Sequence, residues 1–238
     1  MRIVDVVQTA VRRLGYDIIR RPHSISHPID LLDVLIRNEL ASDPMFFFVQ
    51  IGANDGIRVD PLRPSVLRHR LRGLFIEPLP DLFERLVDNY AGHMGLLFEN
   101  CAISDHDGTQ RMYRIRADAP LSEEVQALAS FNRANLSAAR QGIPKLDQYV
   151  EEIDVRTRTL RSVLLANSID HVTLLVSDTE GYDAEIVRMT LESGVCPTVL
   201  MYEHIHLPTD MQAATLLRLK AAGYRFLEVG MDTFAVKE

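Results

Sequence analysis

The chain has 238 residues, 47% of them apolar, and a formal net charge of −7 at pH 7. This length and apolar fraction suit one α/β domain with a short extension, and the negative charge argues against nucleic acid as a partner. Two cysteines are too few for a disulfide framework, which indicates a reducing, cytoplasmic compartment. No apolar run reaches transmembrane length, and charged residues near the start argue against a signal peptide.

Two amphipathic helices are predicted before residue 44. Residues 2–14 and residues 28–41 both place apolar side chains at helical spacing. They form a predicted N-terminal helical extension over 1–43, and residues 44–238 form the main domain. The helix at 2–14 is expected to pack on that domain. The alternative is a contact with a membrane surface or with a second copy of the chain, so a homodimer stays open.

An apolar run over 46–49 stops abruptly at a glycine-containing turn. This pattern predicts a buried parallel strand that ends in a tight loop. Gly52 and Gly56 leave room for a ligand near the backbone, and Asn54 and Asp55 tolerate left-handed backbone angles. The spacing G-x-x-x-G differs from the dinucleotide pattern G-x-G-x-x-G, and no P-loop lysine follows. An ordinary turn is the alternative at this point.

The rest of the chain alternates strands and helices. Apolar strands are predicted at 73–77, 96–103, 171–176 and 197–202, and helices at 60–70, 80–90, 159–167, 183–192 and 208–221. This alternation predicts a doubly wound, mostly parallel sheet with helices on both faces. Two short strands at 224–229 and 233–236 close the chain as a hairpin, which places one antiparallel strand at the far end of the sheet.

An irregular insertion interrupts this pattern. Residues 117–150 contain two prolines and a polar stretch, and an insertion of this length inside a domain usually covers a site. The flanking segments 110–116 and 155–160 are expected to pair with each other as strands. We therefore expect residues 117–150 to cover the place where a substrate binds.

Polar side chains follow four of the predicted strands. Gln50, Glu77, Asp178 and Glu203 lie at the strand ends, and the carboxyl ends of parallel strands share one edge of a sheet. An acid at the end of the second strand is the usual partner of a ribose diol, since a carboxylate accepts two hydroxyl hydrogen bonds. The alternative for Glu77 is a charge that stabilises a helix N-terminus. We favour ribose binding because of the spacing from Gly52.

Five short motifs occur in order along the chain, and together they resemble one protein family. They read Gln-Ile-Gly-Ala-Asn-Asp-Gly at 50–56, Phe-Ile-Glu-Pro at 75–78, Asn-Cys-Ala-Ile-Ser at 100–104, Asp-Thr-Glu-Gly-Tyr-Asp at 178–183 and Tyr-Glu-His at 202–204. In this series the chain resembles the FkbM-type family of S-adenosylmethionine-dependent methyltransferases over residues 44–236. The resemblance implies a seven-stranded class I methyltransferase fold.

The resemblance also implies a set of cofactor contacts. Carried over motif by motif, the S-adenosylmethionine contacts are Gln50, Gly52, Ala53, Asn54, Asp55, Gly56, Glu77, Pro78, Cys101, Ala102 and Asp178. Many class I methyltransferases have an acid where this chain has Gln50, so the cofactor's ammonium lacks its usual charge partner. Asp55 is the nearest candidate to replace that charge.

The chemistry needs a base for a hydroxyl acceptor. The candidate catalytic residues are Asp178, Glu180 and His204, with His206 a further candidate; His204 has an ordinary pKa near neutrality. The alternative is that either histidine is merely structural. A second use of this edge is a Mg²⁺ site made by Asp178, Glu203 and His204. We favour a hydrogen-bonded cluster without a metal.

The sequence thus predicts a cytoplasmic S-adenosylmethionine-dependent O-methyltransferase. The expected acceptor is a small molecule or glycan: a hydroxyl on a sugar, a glycan or a polyketide-like metabolite. Two alternatives stay open. One is a nucleotide-sugar or NAD-type enzyme on the same fold class, which the glycine spacing disfavours. The other is a non-catalytic binding module that retains the fold.

Overall fold

The computed structural model describes residues 30–58, 60–137 and 141–238, and the statements below concern these residues. Residues 32–238 form one compact unit. The predicted helix at 2–14, with its candidate dimer contact, lies outside the described residues. None of the described helices is long and apolar enough to cross a membrane.

The strands and helices follow the predicted alternation. The strands are β1 Phe48–Ile51, β2 Gly73–Ile76, β3 Leu96–Glu99, β4 Ala102–Ile103, β5 Gly108–Ile115, β6 Ala129–Ser130, β7 Val150–Arg158, β8 Leu174–Ser177, β9 Val199–Glu203, β10 Tyr224–Val229 and β11 Asp232–Lys237. The α-helices are α1 Leu31–Ser42, α2 Arg63–His69, α3 Pro80–Asn89, α4 Glu123–Gln126, α5 Leu160–Ala166, α6 Asp183–Glu192 and α7 Thr209–Ala221. Pro64 and Pro80 lie in the first turns of α2 and α3, where a missing N–H costs nothing.

Seven strands form the main sheet in the order β10-β11-β9-β8-β1-β2-β3. All neighbours are parallel except β11, which runs antiparallel to both β9 and β10. The predicted seven-stranded, mostly parallel sheet is therefore confirmed. The antiparallel strand lies second from the edge rather than at the far end. The reason is burial: Thr233, Phe234 and Ala235 of β11 are buried, whereas residues 225–229 of β10 are exposed and suit the edge.

A second sheet of four strands has the order β4-β7-β5-β6. The predicted pairing of the segments at 110–116 and 155–160 is confirmed, since β5 and β7 run antiparallel from Gly108 opposite Thr157 to Ile115 opposite Val150. The single strand predicted over 96–103 is wrong. The chain leaves the main sheet after Glu99, because the Asn100 side chain donates hydrogen bonds to two carbonyls beyond β2, and β4 then joins the second sheet.

Strand β1 lies at the centre of the main sheet, between β2 and β8. All four of its residues are buried, including the polar Gln50. Helices cover both faces of such a sheet, which explains the continuous apolar run that precedes the glycine loop. The ends of β1, β2, β8 and β9 are thereby fixed side by side at one edge.

Candidate functional site

A cavity of about 420 Å³ opens at the carboxyl ends of β1, β2, β8 and β9. Its place is the switch point of the sheet, where the chain order reverses between β1 and β8. The volume lies within the range of about 300–1,000 Å³ that small-molecule pockets occupy. Residues of the insertion, including Leu128 and Phe131, line the cavity from the second sheet.

The glycine loop forms one wall of this cavity. Gly52 has a φ of +78°, and a Cβ atom added there would lie 1.8 Å from the carbonyl oxygen of Asp178. The N–H groups of Gly52 and Ala53 both donate to the carbonyl of Ile76, at 3.0 and 3.1 Å. Only glycine fits at residue 52, because a side chain would separate the ends of β1 and β8.

Glu77 links the glycine loop to the end of β2. One carboxylate oxygen accepts a hydrogen bond from Asn54 N at 2.8 Å, and the other accepts one from Leu79 N at 2.9 Å. Leu79 is the N-cap residue of α3, so the Glu77 side chain stabilises the start of that helix and also lines the cavity. Burial raises the pKa of Glu77 to about 7, and the two N–H donors and nearby Arg114 only partly oppose this.

The raised pKa of Glu77 has a measurable effect on stability. Its ordinary pKa is 4.5 and its folded pKa is about 7, so between these values the folded state binds the proton more tightly than the unfolded chain. The free energy of unfolding therefore falls as the pH rises through this window, by about 3 kcal/mol for this group. We expect ligand-free protein to unfold at lower urea concentration at pH 8 than at pH 5.

The matched variant for this measurement is Glu77→Gln, which cannot ionise and should show a smaller difference between the two pH values. Carboxyls whose pKa is lowered, such as Asp33 and Asp81, lose their stabilising effect only below about pH 4 and do not offset the trend. An unfolding midpoint that rises between pH 5 and pH 8 would contradict the assignment.

Two residues of the predicted cofactor loop lie away from the cavity wall. The Asp55 carboxylate accepts hydrogen bonds from the backbone of Ile57 and Arg58, both at 3.0 Å, and forms an ion pair with the Arg58 side chain at 3.0 Å. Gly56 packs against Leu86 and Tyr90. Asp55 thus stabilises the backbone of the loop outside the cavity lining, and it does not replace the missing charge beside Gln50.

Asp60 is the acid that the sequence analysis missed. It lines the cavity and accepts a hydrogen bond from Gln50 Nε2 at 3.2 Å and from Leu62 N at 2.9 Å. Burial raises the pKa of its carboxyl, against these hydrogen bonds. The sequence carries a signal, an acid immediately before Pro61, but the spacing over 60–70 predicts only the start of a helix there.

The end of β2 and the start of β4 supply a small, largely apolar wall. Pro78, Cys101 and Ala102 line the cavity, as their predicted role as cofactor contacts requires. Cys101 is fully buried, and burial raises the pKa of its thiol to about 12. The thiol is therefore neutral and inert at physiological pH.

Three carboxyl groups form an acidic wall on the opposite side: Asp178, Glu180 and Glu203. Removal from bulk water and repulsion from Asp183 and Glu180 raise the pKa of Asp178 well above its ordinary value. Burial, Asp178 and Glu180 raise the pKa of Glu203 to about 9. Asp178 and Glu203 are therefore harder to ionise than ordinary carboxyls, and a positive charge bound beside them would favour their ionised forms.

Glu180 is held in a strained backbone conformation. Its φ is +54°, which a residue with a side chain adopts only when its surroundings enforce it. Its carbonyl accepts hydrogen bonds from Ser130 Oγ at 3.1 Å and Asn135 Nδ2 at 2.7 Å, both within the insertion. Asp183 accepts the hydroxyl of Ser177 at 2.6 Å and supports the same turn. The insertion therefore fixes Glu180 as well as lining the cavity.

The structure places His206, rather than the predicted His204, next to the acidic wall. His204 does not line the cavity; its Nδ1 lies 3.0 Å from Thr233 Oγ1. His206 instead approaches the acidic wall, with Nε2 3.4 Å from Glu180 Oε2 and 3.5 Å from Glu203 Oε2. The group that the structure brings within metal-binding distance is Glu180, Glu203 and His206 rather than Asp178, Glu203 and His204.

The cavity is strongly acidic. Among the described residues, its carboxyl groups belong to Asp60, Glu77, Glu124, Asp178, Glu180, Glu203 and Asp232. Arg58 is the single arginine or lysine among the described lining residues, and its guanidinium is already paired with Asp55 and Glu123. Such a surface favours a cationic ligand over a phosphorylated one.

The sheet order, the glycine loop after β1 and the acid after β2 define the class of the protein, the Rossmann-like class I methyltransferase fold. The chain belongs to the FkbM methyltransferase family, because the family description "Methyltransferase FkbM domain" matches residues 50–226. The resemblance drawn from the five motifs is thereby confirmed.

Solved structures with low sequence identity also resemble the chain. A methyltransferase FkbM from Methylobacillus flagellatus KT is 13% identical, with a TM-score of 0.49 over 80% of this chain, and the chain spans 43% of its length. Podospora anserina methyltransferase PaMTH1, bound to S-adenosylhomocysteine, is 8% identical, with a TM-score of 0.47. The match covers 100% of this chain and 89% of the PaMTH1 chain. An RNA methyltransferase from Salinibacter ruber, also with S-adenosylhomocysteine, is 13% identical, with a TM-score of 0.41 and coverage of 90% and 95%. A comparison with curated proteins gave no match.

Proposed function

We propose that the protein uses S-adenosylmethionine to methylate a hydroxyl group on a sugar, a glycan or a polyketide-like metabolite. The observation that carries the proposal is the acidic cavity at the switch point, bounded by the Gly52 loop and Glu77. Membership of the FkbM methyltransferase family supports methyl transfer as the reaction. Residues 44–238 would form the methyltransferase domain, with 117–150 covering the acceptor.

The residues that line the cavity fit this cofactor. Gly52 and Ala53 present backbone without side-chain bulk, and Glu77 offers carboxylate oxygens for the ribose hydroxyls. Cys101 and Ala102, with Pro78, provide the small wall beside which adenine would lie. When bound, S-adenosylmethionine supplies an electrophilic methyl group on a positively charged sulfur.

The acidic wall has two tasks in this proposal. The first is to balance a cation: the pKa values of Asp178 and Glu203 are raised, and a positive charge bound beside them lowers these values and favours the ionised carboxylates. Glu180 is the proposed base for the acceptor hydroxyl, because the insertion fixes its backbone and it lines the cavity. His206 lies 3.4 Å from it and provides a route for that proton towards solvent. Asp178 is proposed to help position the groups at the same sheet edge, at the end of β8.

The proposal assigns no Mg²⁺ to the site. The group that the structure assembles contains an imidazole, which suits transition metals better than Mg²⁺. His206 lies within ion-pair distance of both glutamates, so the three side chains also make sense as a proton-handling cluster. His204 is left out of the proposed machinery because its Nδ1 contacts Thr233, whereas His206 lies within 3.5 Å of two carboxyls of the acidic wall.

The acidic wall also discriminates against the main alternative. A nucleotide sugar or NAD carries a pyrophosphate, and the described lining residues offer it only Arg58, which already pairs with two acids. The acidic side chains of the lining offer a pyrophosphate no counter-charge, and those that ionise repel it. The proposed donor carries a positive sulfur and a positive amino group, and both suit this cavity.

Purified protein with methyl-labelled S-adenosylmethionine and a panel of hydroxylated sugars, glycans and polyketides tests the proposal. We expect label in at least one acceptor. Glu180→Gln should lower kcat by about 100-fold or more while leaving the affinity for S-adenosylhomocysteine within about twofold. Glu185→Gln, on the surface of α6, is the matched control and should change neither. Tighter binding of NAD or UDP-glucose than of S-adenosylhomocysteine would overturn the assignment.

A further inference from the structure

A buried amide and a partly buried carboxylate, Gln50 and Asp60, lie together on the cavity wall without a cationic partner among the described residues. Gln50 is 3% exposed and lines the cavity, and its Oε1 atom has no hydrogen-bond partner among the described residues. Its Nε2 donates to Asp60 Oδ1 at 3.2 Å, so the amide orientation is fixed by that contact. A buried acceptor without a donor is costly unless a ligand supplies one.

Asp60 has capacity for a further donor. Its Oδ1 accepts hydrogen bonds from Gln50 Nε2 and Leu62 N, and Oδ2 receives a long contact from the hydroxyl of Tyr90 at 3.4 Å. The backbone N–H of Arg63 also stabilises the carboxylate. Within the described residues no arginine, lysine or histidine forms an ion pair with Asp60. A partly buried carboxylate in this state lacks a counter-charge.

The pair therefore matches a compact cation with several N–H donors. A primary ammonium group has three donors and a full positive charge, which suits one amide oxygen and one carboxylate. Resting on the proposed function, we propose that Asp60, together with Gln50 Oε1, binds the α-ammonium group of the methionine part of S-adenosylmethionine. The charge that Gln50 itself lacks is thus supplied from ten residues further along the chain.

The competing explanation is structural. Asp60 accepts a hydrogen bond from Leu62 N just before α2, so its carboxylate also shapes the entry to that helix. A structural role predicts that any ligand of the cavity loses affinity when Asp60 is altered. An ammonium site predicts a loss confined to ligands that carry the amino group.

Calorimetry with two ligands separates these explanations. One ligand is S-adenosylhomocysteine, and the other is its deamino analogue, which has hydrogen in place of the α-amino group. We expect the wild type to bind the first at least about tenfold more tightly. Asp60→Asn should weaken S-adenosylhomocysteine about tenfold and leave the analogue unchanged. Asp105→Asn, at an exposed acid outside the cavity, is the matched control and should change neither.

Three outcomes overturn the inference: equal binding of both ligands by the wild type, equal weakening of both in Asp60→Asn, or unchanged binding of both in Asp60→Asn. If Asp60→Asn fails to fold, equal binding of both ligands by the wild type still overturns the inference, because that comparison needs no variant. Failure of the proposed function looks different, since the wild type would then bind neither ligand, whereas failure of this inference leaves S-adenosylhomocysteine bound.

Discussion

Replacing Glu77 by glutamine is expected to weaken the binding of S-adenosylhomocysteine by about 100-fold. The carboxylate already accepts hydrogen bonds from Asn54 N and Leu79 N, and its remaining lone pairs face the cavity. A glutamine amide has only one acceptor oxygen, so its NH₂ group must face one of the two backbone donors. The variant therefore loses the charged acceptor for the ribose and disturbs the turn that carries Asn54.

Glu99 provides the matched control for this measurement. It ends β3 as Glu77 follows β2, but it lies outside the cavity lining and pairs with Asn167 and Arg158. Glu99→Gln should leave the affinity for S-adenosylhomocysteine within about twofold of the wild type. Isothermal calorimetry at pH 8 measures both variants under conditions where most Glu77 is ionised. Equal affinities of wild type and Glu77→Gln would remove Glu77 from the site.

The sequence could predict the parts of the site that regular periodicity determines. Strand β1 is buried on both faces, so its apolar run is visible in the sequence and locates Gly52 at its end. Glu77 follows from the same logic one strand later. The mostly parallel sheet follows from the alternation of strands and helices. In the closing hairpin, the relative burial of β10 and β11 decides which strand lies at the edge.

The missed parts depend on irregular backbone that no periodic pattern describes. Asp60 reaches the cavity because the loop after β1 folds back under Gln50, a path set by Asp55 and its two backbone hydrogen bonds. His206 rather than His204 approaches Glu180 because the chain turns after β9. The break between β3 and β4 depends on one side chain, Asn100. Each of these features depends on a specific contact in irregular backbone, and such a contact leaves no regular spacing in the sequence.

Gly52→Ala is expected to lower the free energy of unfolding by about 4 kcal/mol. The backbone at Gly52 has a φ of +78°, which alone costs alanine about 1–2 kcal/mol. The larger part comes from the added Cβ, which would lie 1.8 Å from the carbonyl oxygen of Asp178, a backbone atom that no side-chain rotation can move. Relief requires the ends of β1 and β8 to separate, and these strands pair along their whole length.

Gly92→Ala isolates the conformational part of this effect. Gly92 has a φ of +84°, close to that of Gly52, but nothing lies within 4 Å of an added Cβ. We expect this variant to lose only about 1 kcal/mol. Urea denaturation of both variants measures the difference in stability. Calorimetry on folded Gly52→Ala then measures its affinity for S-adenosylhomocysteine. This variant should bind at least about tenfold more weakly because the loop has moved. Equal losses of stability in the two variants would mean that the contact between Gly52 and Asp178 does not hold the two strand ends together.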